Sequence, residues 1–427
     1  MKSSDYNYFI PYKDGHIFFN GITKRFFLAS EKNHAKLMDI ISRPDDYREK
    51  YAPFLERMSA EGFVVEDDVQ EMDIIREEFD RKRNSGQYTL MVLPTYDCNL
   101  RCWYCIQEHQ NMTLSDETVA RIKKHIEKYL LENEIKEFRL SWFGGEPLLT
   151  YRKLIEITRF SKDFCECHHI GFFSDMTTNS LLLTSERIKE LGGLGLRSFQ
   201  ITIDGCREKH NQVKRDKDNA AFDKAVNNVL EIVRTIPDAY CILRINYSDQ
   251  TLEPGKIMHD VNLMIPHEYR KQIKISPCKI WQVEDRKIKA EKVGELNSIA
   301  KRKNYQIQTS LTNFCYVDHA HFNCIFPNGN VGKCDNEKPE DAKGVLTESG
   351  DILWKTEYRF IQYHQLSSGS ECVECKYLPF CMGPCPRRRE EMYVQHKHIV
   401  CQHKDKEEAM EKVIVDYCEK NSDFYNI

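Results

Sequence analysis

Seventeen cysteines in 427 residues carry most of the chemistry this sequence offers. Cys98, Cys102 and Cys105 form one tight group in the run Cys98-Asn-Leu-Arg-Cys102-Trp-Tyr-Cys105, eight more fall between Cys315 and Cys401, and six stand apart. A chain this rich in ordinary core residues is no disulfide-stapled mini-domain, and dense cysteines without an oxidising compartment point to metal. Three thiolates in a C-x3-C-x2-C loop can each hold one iron of a cubane cluster, whereas a structural zinc site wants a fourth ligand close by. His109 is the nearby residue that could complete a zinc site, and soft thiolates alone do not separate the two metals. An iron without a protein ligand would be open to a small molecule.

Such a loop needs a scaffold, and the segment from Tyr88 onward supplies one. Short apolar or β-branched runs at Tyr88–Leu93, Phe138–Phe143, Gly171–Thr177, Ser198–Ile203, Cys241–Asn246 and Ile273–Ser276 alternate with helical stretches. In the clearest helix, Ser115 to Leu131, Ser115 can cap, and Val119, Ile122, Ile126 and Leu130 make one stripe. Strand, crossover helix and strand repeated about six times predicts an α/β fold, a parallel sheet curled into a full or partial barrel. Function in such a barrel belongs at the C-terminal ends of the strands, and the cysteine loop follows the first of them.

Residues 1–85 read as a separate small module. His16–Phe19 and Arg25–Leu28 flank Asn20-Gly21 as a hairpin, Ala35–Ile41 and Tyr51–Ala60 are helical in pattern, Gly62 supplies a stop, and Phe63–Val65 is a further strand. Together they predict a winged-helix-like unit, joined to the barrel by a helix over Val69–Lys82. The chain divides into three: 1–85, a barrel over 86–305, and a cysteine-rich domain over 306–427. Lys+Arg 62 against Asp+Glu 66, a net charge of -4, gives no basic field for nucleic acid or an anionic membrane. No apolar run reaches membrane-spanning length and the first residues lack a signal-peptide core, so a cytoplasmic protein is expected.

The loop at Cys98, with aromatic Tyr104 before its last cysteine, resembles the cluster motif of the radical S-adenosylmethionine (SAM) enzymes, and the resemblance extends over residues 88 to about 290. It implies a partial (β/α)6 barrel and a 4Fe-4S cluster whose open iron is chelated by SAM. One electron then cleaves the sulfonium, giving methionine and a 5′-deoxyadenosyl radical that abstracts hydrogen from substrate carbon. Gly144-Gly145-Glu146-Pro147, at the end of the second strand, matches the family's GGEP segment. Glycines there let backbone come close to a ligand. Thr178 and Asn179 after the third strand, and Thr202, Asp204 and Arg215 at and after the fourth, resemble the family's ribose and carboxylate contacts. With Tyr104 near the adenine, Tyr104, Gly144, Gly145, Glu146, Thr178, Asn179, Thr202, Asp204 and Arg215 are the expected SAM-binding set.

The C-terminal cysteines resemble the SPASM extension, which binds two auxiliary 4Fe-4S clusters. Its ligation, carried over by position, assigns Cys315, Cys324, Cys334 and Cys385 to the first and Cys372, Cys375, Cys381 and Cys401 to the second. A pair of zinc ribbons is the alternative that four-cysteine spacing alone would suggest. The Cys165, Cys167, His168, His169 group could chelate a soft metal but reads better as metal-free, and Cys206, Cys241, Cys278 and Cys418 carry no functional expectation.

SPASM proteins with an added N-terminal winged-helix-like module resemble maturases of ribosomally made peptides (RiPPs), in which the module holds a leader peptide by strand addition. The expectation is an oxidoreductase that forms a crosslink such as a thioether or carbon–carbon bond in a precursor peptide and takes electrons from a flavodoxin or ferredoxin. The alternative is an anaerobic sulfatase-maturating enzyme forming formylglycine from Cys or Ser, since Asp335 occupies the place of that branch's catalytic acid/base. A non-enzymatic iron–sulfur electron carrier is a third possibility, though it would have no use for Gly144-Gly145 or the polar set on strands three and four.

Overall fold

A computed structural model describes residues 1–215, 217–280, 282, 290–307, 314–356, 358, 364–401 and 406–421. The chain forms two compact units, the first from Met1–Ser85, Thr309–Ala320 and Tyr358–Ile427 and the second from Gly86–Gln308 and His321–Glu357.

In the first unit, β1 (Lys2–Ser3) pairs antiparallel with β5 (Val64–Val65), while β2 (Asn7–Tyr12), β3 (Gly15–Asn20) and β4 (Phe26–Ser30) form an antiparallel meander. Buried Asn20 ties these pieces together: its Nδ2 donates to Ser4 Oγ, Asn7 Oδ1 and the Gly62 carbonyl, and its Oδ1 accepts from the Ile22 and Thr23 amides. Gly62 has φ +86°, the left-handed conformation that ends the helix Ala52–Ala60. Strand β3 buries side chains on both faces. Phe18 faces Phe27, Ile40, Ile41, Leu55, Met58 and Phe63, whereas Ile17 and Phe19 face Tyr377, Phe380, Met410 and Ile414. The N-terminal residues thus share a core with the C-terminal cysteine-rich residues instead of standing as a module with a free sheet face. The continuous apolar run Ile17-Phe18-Phe19 carries that signal, because a half-exposed strand would alternate.

In the second unit, β6 (Gln87–Val92), β7 (Glu137–Trp142), β8 (Gly171–Thr178), β9 (Leu196–Ile203), β10 (Tyr240–Tyr247) and β11 (Ile273–Lys279) are parallel neighbours in chain order, with β12 (Gln306–Ile307) beyond β11. This is the repeated strand–helix–strand pattern. Helix Asp116–Glu132 is capped by Ser115, whose hydroxyl accepts from the Thr118 amide, and buries Val119, Ile122, Ile126 and Leu130 against the sheet. On the other side of β6 the sheet continues through β13 (Phe322–Ile325), parallel to β6, and then β14 (Asn330–Gly332), β15 (Gly344–Leu346) and β16 (Ile352–Trp354), antiparallel. The eleven-stranded sheet runs from β12 at one edge to β16 at the other. The strands between Phe322 and Trp354, placed by sequence in the C-terminal domain, are therefore part of the same sheet as β6. Strands of three or four residues are too short for period-2 patterning to reveal.

Candidate functional site

The loop after β6 is closed at its base by backbone. The Tyr96 amide donates to the Met112 carbonyl at 2.9 Å and the Leu114 amide to the Pro94 carbonyl at 2.9 Å, so residues 98–111 project as one loop. Inside it the Cys98 amide donates to Asp97 Oδ1 (2.8 Å), the Leu100 amide to Cys98 Sγ (3.4 Å) and the Cys105 amide to the Cys102 carbonyl (3.1 Å). The three thiols lie close enough to act on one another. Burial pushes the Cys98 thiol up to about 11, with Cys102 and Cys105 adding to the effect, and burial raises Cys105 also. A bound cation reverses that cost by holding sulfur as thiolate. Both ring nitrogens of His109 are buried and without a hydrogen-bond partner, and the charged groups beside the ring are Arg101 and Asp97.

The glycines of the GGEP segment are explained by this loop. Gly144 has φ +121°, and a Cβ on Gly145 would lie 2.0 Å from the Asp97 carbonyl oxygen. The Gly145 and Glu146 amides donate to the Thr95 and Asp97 carbonyls at 3.0 and 2.9 Å. The backbone these glycines approach is thus the stem of the cysteine loop, a contact not foreseen from their spacing.

Glu146 is fully buried and joins two strand ends, those of β7 and β8. One carboxylate oxygen accepts from Thr178 Oγ1 (2.7 Å) and the Leu148 amide (3.1 Å), the other from the Asn179 amide (2.9 Å). Burial pushes its carboxyl up to about 7 against those donors. Asn179 reaches back to the loop, its Nδ2 donating to Asn99 Oδ1 at 2.8 Å and lying 3.7 Å from Cys98 Sγ.

The end of β9 contributes a buried ion pair. Asp204 is wholly buried and takes a hydrogen bond from Tyr104 Oη, while Lys214 Nζ lies 3.1 Å from Asp204 Oδ2, 3.2 Å from Tyr104 Oη and 3.4 Å from Cys102 Sγ. Burial would raise the Asp204 carboxyl, but the Lys214 ammonium overcomes it and, with the Tyr104 hydroxyl, holds the carboxylate charged. The ring of His210 is kept from charging by burial, and its Nδ1 accepts from the Asp204 amide at 3.1 Å. Arg215 is exposed, with φ +50° at the end of helix Arg207–Lys214; Thr202 lies level with Arg244 of β10. Lys214 was not among the residues singled out from sequence. Its i, i+4 spacing from His210 puts both on one helix face and is the signal that could have found it.

Among the C-terminal cysteines of the first unit, Cys375, Cys381 and Cys401 all bear on Cys372, whose thiol burial pushes up to about 11. Cys315 and Cys385 also act on one another, and each lies close in sequence to one half of a buried bidentate pair: Arg389 donates to Asp318 at 2.7 and 3.0 Å. In the second unit Cys324 is fully buried on β13, paired across to Gly332, with Cys334, Asp335 and Glu337 beside it. Asp335 is half-buried and lines a small cleft with Tyr96, Gln107, Glu108 and Lys338. All seventeen cysteines are thiols; Cys165, Cys206, Cys241 and Cys418 are buried, and Cys278 Sγ accepts from Arg244 at 2.9 Å.

A strand-end loop of three converging thiols, braced by GGEP, defines a class. Residues 92–257 match the radical SAM superfamily, and the chain carries a radical SAM domain. It is similar to the PqqA peptide cyclase of Bradyrhizobium diazoefficiens (31% identical, over 27% of this chain and 28% of that protein) and to the GTP 3′,8-cyclase of Clostridium perfringens (27% identical, over 34% and 44%). The chain thus matches less than half the length of these curated relatives. Among solved structures, native anSMEcpe with bound AdoMet and the Cp18Cys peptide aligns at TM-score 0.53 and 17% identity, over 78% of this chain and 97% of that one. Streptococcus suis SuiB bound to its precursor peptide SuiA aligns at 0.50 and 13%, over 94% and 99%. At these identities the likeness is one of fold. No helix among the described residues is long and apolar enough to cross a membrane.

Proposed function

We propose that this protein is a radical SAM peptide maturase. The observation that carries the reading is the convergence of Cys98, Cys102 and Cys105 on a loop clamped by Gly144-Gly145 and by the Glu146–Thr178–Asn179 bonds. Three mutually close soft donors with no histidine among them suit three irons of a cubane cluster. When bound, that cluster supplies the electron that cleaves SAM to the 5′-deoxyadenosyl radical. This chain's own residues hold and orient: Glu146 fixes the strand-two and strand-three ends, Asn179 and Lys214 present N–H groups to the loop sulfurs, and Tyr104 closes over Asp204. Tyr104, Gly144, Gly145, Glu146, Thr178, Asn179, Thr202, Asp204 and Arg215 remain the proposed surroundings of SAM, with Glu146 and Asp204 acting through the neighbours they bond.

Two auxiliary 4Fe-4S clusters on the SPASM cysteine sets complete the reading, supported by the nearness of Cys375, Cys381 and Cys401 to Cys372. The substrate is taken to be a ribosomally made precursor peptide, crosslinked after hydrogen abstraction, with a flavodoxin- or ferredoxin-type reductant. The SuiB fold, bound to a precursor peptide, accounts for 94% of this chain against 78% for anSMEcpe, which favours the maturase with an N-terminal module. Asp335, half-buried beside Cys334, keeps formylglycine formation as the second reading.

The test is to incubate reduced, cluster-reconstituted full-length protein with SAM and the short peptide encoded beside it. Deoxyadenosine release with a mass loss of two hydrogens per crosslink is expected, and replacing Cys98, Cys102 and Cys105 together by Ala should abolish both. Deoxyadenosine from the triple variant would overturn the site assignment. Oxidation of a sulfatase-type Cys or Ser peptide, dependent on Asp335, would replace the maturase reading by the second one.

A further inference from the structure

The protein spends a buried ion pair on the rim of the cysteine loop. Lys214 has a side chain only 5% exposed and Asp204 one that is 0% exposed, and stripping two charges of water is costly unless the pair is well bonded. Tyr104 supplies the further bond, donating to Asp204 and accepting from Lys214. Lys214 meets Asp204 Oδ2 as an ion pair and donates to Tyr104 Oη, which uses only part of the donor capacity of an ammonium, and Lys214 Nζ lies 3.4 Å from Cys102 Sγ as well. Placement at the last residue of helix Arg207–Lys214 adds to this, since the helix C-terminus favours a cation and the left-handed turn at Arg215 ends the helix there. The order along the contacts is carboxylate, ammonium, sulfur, with the positive group nearest the sulfur.

We infer that Lys214 is a positioning residue that sets the reduction potential of the cluster held by Cys98, Cys102 and Cys105. This rests on the radical SAM reading of the loop. Reduction adds one electron from an external donor to the cluster, with no bond made or broken at the lysine, which stays protonated. A hydrogen bond and a positive charge at a ligand sulfur stabilise the more negative, reduced state, since charge and hydrogen bonds to sulfur are among the levers that set such potentials. Asp204 and Tyr104 act through Lys214 by fixing its direction.

The experiment is an EPR-monitored redox titration of the full-length reconstituted protein without SAM, following the signal that the Cys98/Cys102/Cys105→Ala variant lacks. Lys214→Met should shift the one-electron equilibrium about tenfold toward the oxidised cluster, about 59 mV to lower potential. Lys214→Arg, which keeps charge and donors, should return most of the shift. Because Lys214→Met leaves Asp204 buried and unpaired, the double variant Lys214→Met/Asp204→Asn is titrated beside it and should also lie below the wild type. Equilibrium binding of SAM to the oxidised Lys214→Met protein should change less than twofold. An unchanged potential in both variants that still hold this cluster overturns the inference, as does a potential unchanged while SAM affinity falls tenfold, which would make Lys214 a SAM contact. A wild-type protein without the loop's EPR signal would instead count against the radical SAM reading itself.

Discussion

Removing residues 1–85 will damage the C-terminal cysteine region and not merely the affinity for a peptide. The perturbation uncovers the face on which Tyr8, Ile10, Ile17 and Phe19 pack against Tyr377, Phe380, Met410 and Ile414, with Cys375 and Cys381 at its margin. Fully burying a Phe, Met or Ile side chain is worth roughly 1.5–3 kcal/mol, so Phe380, Met410 and Ile414 alone lose roughly 5–9 kcal/mol. That is comparable with the whole stability of a typical domain, about 5–15 kcal/mol. The stacking of Tyr8 on Tyr377, with ring centroids 5.4 Å apart, goes as well. Iron per chain after reconstitution, together with thermal unfolding, is the assay: a protein starting at Gly86 should keep the iron of the Cys98 loop, lose that held by Cys372, Cys375, Cys381 and Cys401, and lose its first-unit unfolding transition. Phe19→Ala in the full chain should show the same trend at a cost of about 3–5 kcal/mol. Unchanged iron and unfolding in the truncated protein would refute the shared-core argument. Deletion is accordingly a poor test of leader binding, which calls for substitutions on exposed positions.

Three further outcomes are expected. Glu146→Gln places an amide donor against the Thr178, Leu148 or Asn179 donors and should cost about 1–3 kcal/mol. Because the Glu146 carboxyl is raised from 4.5 to about 7, its contribution is complete below pH 4.5 and lost as pH rises through about 7; urea midpoints measured across that window should fall in the wild type more than in the Gln variant. Gly145→Ala drives a methyl into the Asp97 carbonyl and should lower iron bound at the Cys98 loop while leaving far-ultraviolet circular dichroism unchanged. Arg389→Ala leaves Asp318 buried without its partner and should cost about 3–5 kcal/mol by chemical denaturation, and Arg389→Lys, lacking the planar fork, should recover only part of it.

What was legible in the sequence follows from which signals are local. The six parallel strands and the capped helix at Ser115 are long enough for periodicity and capping chemistry to mark them, and the Cys98 loop sits at the end of the first strand as its spacing suggests. The four strands β13 to β16 escaped because each has only three or four residues and gains its place by pairing with distant chain. Strand β2 escaped for another reason: Asn7-Tyr-Phe-Ile-Pro-Tyr12 contains a proline, which argues against a paired strand yet is tolerated at a sheet edge, where β2 lies. At the site, motif matching picked out Asp204 and Arg215 by position, whereas it is Lys214, one residue earlier, that turns inward. A helix end decides that, and a motif does not encode which of two adjacent cations lies on the buried side.

The parallel pairing of β13 with β6 bears on synthesis. Phe322 lies opposite Thr89, and the two are separated by 322 minus 89, or 233, positions. As the chain leaves the ribosome, the strand that leads into the Cys98 loop has one edge without a neighbour until Phe322 has been made, and pairings of such long sequence separation form slowly. Through that interval Tyr88, Leu90 and Val92 belong to a strand open to pairing with other chains. Fragments ending before Phe322 would keep that edge permanently, so they should aggregate whatever their cysteine content. Completing the sheet, and with it a settled base for the loop, comes late in the life of the nascent protein, and iron is best supplied after release.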